Sequence, residues 1–279
     1  MVEILGVRFD ELTEAQTVRR ILDAIDERRG GVVVTPNLDH LRRCSIDATY
    51  RTLVAKADLV VADGMPIVWA SRVAGQPLPE RVTGADLVAS LSAGAAERGR
   101  SVFLLGGDPG TAEGAARVLS EGTPRLKVAG TWFPPRGFER DPVESRRLEA
   151  AVSAAAPDVV FVGLGSPKQE LLIDRIRSLL PAAWWLGVGI SFSLLTGEEK
   201  RAPAWMRRSG FEWLHRLACE PRRLYRRYLV DGLPFALRLA AWSVRRRFRR
   251  RGPAHDGTAA PGGGRDGPVN RCVEGSRPA

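Results

Sequence analysis

Asp63 closes the apolar run at 59–62 and is followed at once by Gly64. A carboxylate at the end of such a run, backed by a residue free to turn, can take a proton from a hydroxyl. The plainer reading of the same pattern is a turn or helix N-cap aspartate. Other apolar runs also end in polar groups. VVVTPN closes on Thr35 and Asn37, with His40 just inside the helix expected next. SVFLLGGDPG places Gly106 and Gly107 where backbone can approach a ligand, and the following helix N-terminus can hold a phosphate. GLGSPKQE carries Gly163 and Gly165, then opens a helix with Pro167, Lys168, Gln169 and Glu170. Proline suits a first helical turn, whose free N–H groups suit an anion. A bare strand-to-helix turn fits that pattern as well.

Missing motifs narrow the chemistry. There is no GxxxxGK[ST] phosphate loop, no GxSxG nucleophile elbow and no HExxH. Cys44, Cys219 and Cys272 are far apart and odd in number, which fits neither a metal site nor a disulfide framework. His40, His215 and His255 are scattered. No Asp-x-Asp occurs, so a carboxylate pair holding a metal on a nucleotide diphosphate is not expected, and no cofactor is implied.

The elements that must carry these residues alternate. Strands are expected at 31–37, 57–64, 101–107, 127–133, 157–165 and 183–189. Helices are expected at 14–29, 38–56, 84–98, 110–120, 144–155 and 168–179. That order predicts an α/β fold, Rossmann-like, with a mostly parallel sheet and helices on both faces. Ligands bind such sheets at the carboxyl ends of the strands.

Charge divides the chain. Between 201 and 251, 15 Lys and Arg face 3 acidic residues (net +12), whereas the first 200 residues hold 24 and 26 (net −2). Aromatic and leucine residues recur among these arginines at helical spacing, with Pro221 and Pro234 expected to divide the helices. Such a segment seeks a polyanion: nucleic acid, an anionic membrane surface or ligand phosphates. The expected organisation is a catalytic domain at 1–200, a basic helical appendage at 201–251 and a disordered Gly/Pro/Arg tail at 252–279. No signal peptide and no apolar run long enough to span a membrane is expected.

Eight segments, in order over about residues 3–230, resemble the WecG/TagA/CpsF glycosyltransferase family. They are TPNLDHL, ADLVVADGMPIVWASR, LPERVTGADL, VFLLGG, GTWFPPRGF, DVVFVGLGSPKQE, LGVGISFSLLTG and RAPAWMRRSGFEWLHRLACEPRRLYRRYL. The resemblance implies an inverting, metal-independent transferase using UDP-N-acetylmannosamine, or a related UDP-hexose such as UDP-glucose. The acceptor it implies is N-acetylglucosamine on undecaprenyl diphosphate, for teichoic acid, common-antigen or exopolysaccharide synthesis. It implies Asp63 as base, Thr35, Asn37, Arg81 and Gln169 as its substrate-binding partners, and Arg216, Arg223 and Arg226 on an appendage that docks on the membrane. The expected place is the inner face of the cell membrane, peripherally bound. On a continuous helix, spacings of seven and three would put the three arginines on one face that converges on the acceptor diphosphate. Pro221 falls between the first two, however, and is expected to bend or restart the helix. The rival of another class is a nucleic-acid-binding protein. A nucleotide-sugar epimerase or dehydrogenase lacks its GxGxxG. A homo-oligomer is left open.

Overall fold

The computed structural model describes residues 1–250. The tail at 252–279, with His255 and Cys272, lies outside the described residues, as does Arg251. An antiparallel hairpin opens the chain, β1 (Val2–Ile4) with β2 (Val7–Phe9). Six strands then form one parallel sheet: β3 (Gly31–Val34), β4 (Leu59–Val60), β5 (Ser101–Gly106), β6 (Lys127–Trp132), β7 (Val159–Gly163) and β8 (Trp184–Gly187), in the order β4-β3-β8-β7-β5-β6. All six fall in the segments expected to be strands. The apolar runs of the inner strands suit a sheet covered on both faces, and the side chains of β7 are fully buried.

The helices are α1 (Glu14–Asp26), α2 (Leu38–Ile46), α3 (Ala48–Ala55), α4 (Met65–Val73), α5 (Gly84–Glu97), α6 (Thr111–Gly122), α7 (Pro142–Ala155), α8 (Lys168–Ile176), α9 (Ser191–Thr196), α10 (Ala204–Arg208), α11 (Glu212–Cys219), α12 (Pro221–Tyr225) and α13 (Leu233–Arg250). Helices α1, α5, α6 and α9 cover one face of the sheet; α2, α3, α4, α7 and α8 cover the other. The single helix expected at 38–56 is two. Asp47 leaves helical geometry and its carboxylate caps α3 by accepting from the Tyr50 N–H, which stops α2 and starts a new helix.

Pro221 opens α12 as expected, but Pro234 does not divide the chain. Residues Arg226–Gly232 form a π-helical turn that runs directly into α13. A proline ring clashes with the carbonyl four residues back; the widened turn just before Pro234 loosens the helical ladder there. Helix α13 is seated in the fold: Phe235 and Leu239 join the same hydrophobic core as β1, α4 and α8.

Candidate active site

The parallel sheet brings its loops to one edge, and the polar residues expected there come with it. Asp63 follows β4, and its backbone N–H donates to the Pro36 carbonyl at 3.0 Å, which ties it to the Thr35-Pro36-Asn37 loop after β3. The sharp exit is made by Gly64, whose φ of 129° lies where side chains are strained. The 81–84 segment runs alongside, through the Val82 N–H to the Ala62 carbonyl at 2.9 Å. The start of α5 abuts Thr35, since a Cβ on Gly84 would sit 3.7 Å from its Oγ1. Asn37 caps α2: its Oδ1 accepts from the N–H groups of Asp39 and His40, and its own N–H donates to His40 Nδ1 at 3.1 Å.

Asp63 is half-buried. Burial pushes its carboxyl up to about 7; Arg81 opposes that shift, Glu212 and Asp86 add to it, and Arg216 opposes it. A carboxyl that titrates near neutrality is suited to take a proton and later release it. Around it lies a network of ion pairs. Arg81 donates to Glu212 at 2.6 Å and lies 4.0 Å from Asp86, and Asp86 also pairs with Arg201 and accepts from Thr83. Glu212 belongs to α11, so the basic C-terminal segment forms a wall of this site. A mixed-charge cleft between the loop after α9 and α11 is lined by Lys200, Arg201, Glu212, Arg216 and Glu220. Asp86, Arg201 and Glu212 lie inside the segments that carried the resemblance, yet composition and spacing gave them no role. They are brought in by contacts spanning more than a hundred residues.

The remaining expected residues are placed as follows. Gln169 is buried, with its Oε1 accepting from the Gly189 N–H at 3.0 Å. Gly106 and Gly163 meet backbone to backbone: a Cβ on Gly106 would sit 2.6 Å from the Gly163 carbonyl oxygen, and the Gly107 N–H donates to that oxygen at 2.8 Å. Gly165 lies in the loop before Pro167 and α8. Lys168 turns outward to pair with Glu139 at 3.0 Å. The α6 N-terminus carries a carboxylate of the chain itself, with the Thr111 hydroxyl donating to Glu198 at 3.0 Å. Pro221 divides the helices as expected, so Arg216 does not share a continuous helix with Arg223 and Arg226. Glu220 leaves helical geometry, and Pro221, which has no N–H to continue the ladder, begins α12. Arg216 lines the cleft, whereas Arg223 is 57% exposed and pairs with Glu220 at 2.6 Å. Arg226 is exposed at the start of the π-helical turn.

Known proteins are similar to this chain over most of its length. A family described as "Glycosyl transferase WecG/TagA/CpsF family" matches residues 2–250. The N-acetylglucosaminyldiphosphoundecaprenol N-acetyl-beta-D-mannosaminyltransferase of Bacillus spizizenii strain W23 is 34% identical over 206 residues, covering 74% of this chain and 77% of the relative. The protein of the same name from Bacillus subtilis strain 168 is 33% identical over 200 residues, covering 71% and 75%.

Proposed function

Because the chain belongs to the WecG/TagA/CpsF glycosyltransferase family, we propose that it moves N-acetylmannosamine from UDP to N-acetylglucosamine on a polyprenyl diphosphate, with inversion and without a metal ion. The observation that supports this most is Asp63, half-buried at the sheet's carboxyl edge beside Arg81 and Arg216, with its carboxyl pushed up to about 7.

The chemistry asks for few parts. Asp63 accepts the acceptor hydroxyl proton as that oxygen bonds to the anomeric carbon. The bond from that carbon to the UDP oxygen breaks on the opposite face, and its electrons stay with the diphosphate. Arg81 and Arg216 supply positive charge where the leaving group becomes more negative. Thr35, Asn37 and Gln169 hold the sugar. With no Asp-x-Asp in the chain, transfer is expected to persist in excess EDTA, followed as product formed on an acceptor analogue that keeps its diphosphate. Activity lost to chelator and restored by Mg²⁺ or Mn²⁺ overturns the metal-free part. Failure to transfer from any UDP-N-acetylhexosamine overturns the reading itself.

The acceptor's lipid calls for a membrane-facing surface, and the C-terminal segment is suited to one at the inner face of the cell membrane. Trp205, Tyr225, Leu233, Leu237 and Phe248 are each more than half exposed, and they stand among exposed arginines. Leu233 and Leu237 cannot stack on bases but can enter an acyl boundary beside the aromatic rings, which is the reason for reading this surface as lipid-facing. Among the described residues no helix is long and apolar enough to cross a membrane. Changing exposed Arg245 and Arg249 to Gln is expected to weaken flotation with anionic vesicles. At about 1 kcal/mol for each arginine, the pair amounts to roughly a thirtyfold loss. Unchanged flotation overturns the assignment.

A further inference from the structure

Glu170 is a buried carboxylate that the transfer chemistry leaves without a task. It sits in the first turn of α8, 6% exposed, and its Oε1 accepts from Gln169 Nε2 at 3.0 Å. Gln169 Oε1 accepts from the Gly189 N–H at 3.0 Å. The amide is therefore held at both ends: a backbone N–H can bond only the amide oxygen, which turns the nitrogen to the carboxyl. It is also packed flat, because a Cβ on Gly187 would lie 2.5 Å from Gln169 Nε2. One Nε2 hydrogen remains uncommitted among the described residues.

His40 lies near the same Glu170 oxygen without hydrogen-bonding it. His40 Nδ1 accepts from the Asn37 N–H, which leaves the ring proton on Nε2, 3.9 Å from Glu170 Oε1. Burial holds that imidazole neutral, with its pKa lowered to about 4. The second carboxyl oxygen of Glu170 is buried without a hydrogen-bond partner. Glu170, Gln169, His40, Thr35 and Gly187 line one cleft beside β3. Asn37 bonds His40 and Gln169 bonds Glu170, and the two pairs come within 3.9 Å of each other where two loops of the sheet edge meet.

We propose that Glu170 is a positioning and specificity-determining residue, which locks Gln169 so that its side chain offers an N–H, and not a carbonyl, to the donor sugar. An N–H there selects a strong acceptor on the sugar, the carbonyl of a 2-acetamido group. This rests on the donor-site reading given above.

The test compares donors with and without the acetamido group. Glu170→Leu is expected to raise KM for the acetamido donor about tenfold and erode preference over the unsubstituted hexose donor, with kcat changed less than about threefold. Glu170→Gln keeps an oxygen for Gln169 Nε2 and is expected to stay within about twofold of the parent. In a Gln169→Ala background, Glu170→Leu is expected to add less than about twofold, since residues that act as one unit are not additive. Additive losses, or Glu170→Gln failing as badly as Glu170→Leu, overturn the proposal. If Glu170→Leu does not fold, the exchange Gln169→Glu with Glu170→Gln keeps similar atoms in the core but removes the free N–H. Recovery of donor KM in that variant overturns the proposal too. A parent enzyme inactive with every UDP-N-acetylhexosamine fails the donor reading instead, so the two failures are distinct.

Discussion

Asp63→Asn is expected to lose transfer by about 10²–10⁴-fold while its melting temperature rises above pH 7. Both effects come from one carboxyl. Its pKa is raised by burial from an ordinary 3.8 to about 7. Below pH 3.8 it is neutral in folded and unfolded chains alike, and stability is unaffected. Between 3.8 and 7 the folded chain keeps a proton that the unfolded chain has released, so rising pH erodes stability. Above 7 that loss is complete. The amide variant has no proton to release and escapes it, so any gain in melting temperature appears there and vanishes near pH 4. In the parent enzyme, kcat/KM is expected to fall about tenfold per pH unit on the acid side of 7, as the base is protonated. Near-normal turnover of the variant overturns the assignment.

Arg216→Ala is expected to lower transfer to a short acceptor that keeps its diphosphate by about 10²–10³-fold. Arg216 lines the cleft with Glu212 and opposes the upward shift of Asp63, so its removal also moves the acid limb of the pH profile upward. Arg223 is exposed and held by Glu220, and Arg226 is exposed. Their alanine variants are expected to lose less than about tenfold on that soluble acceptor, as surface ion pairs contribute little. Equal losses at all three positions, with no change in pH profile at Arg216, overturn this ranking.

The sheet was legible because most of its strands are apolar runs that stop at Gly, Asn or Asp, the edge strand β6 (KVAGTW) being the exception. The strand-end residues followed from that, since a parallel sheet sends such ends to one edge. The opening hairpin was not legible: its strands are three residues each, turned at Leu5 and Gly6, and too short for a pattern. Helix α4 was hidden by Pro66, which sits in a first turn where its missing N–H does no harm. The ionic wall of the site was illegible for another reason. Arg81 and Glu212 are 131 residues apart, and Asp86 and Arg201 are 115 apart. No local spacing records such a meeting.

Helix α13 has two masters. Phe235 and Leu239 are sealed in the core, while Leu237 and Phe248 on the same helix stand in solvent. A protein chemist seeking a better-behaved sample would be tempted to cut the chain before it. That cut would open the core, at about 2–5 kcal/mol for each large side chain removed. Polar replacements at Leu237 and Phe248 spare the interior. On the proposed membrane reading, the same double duty would make a lipid bilayer a folding ligand: whatever binds only the folded helix deepens the native well by mass action.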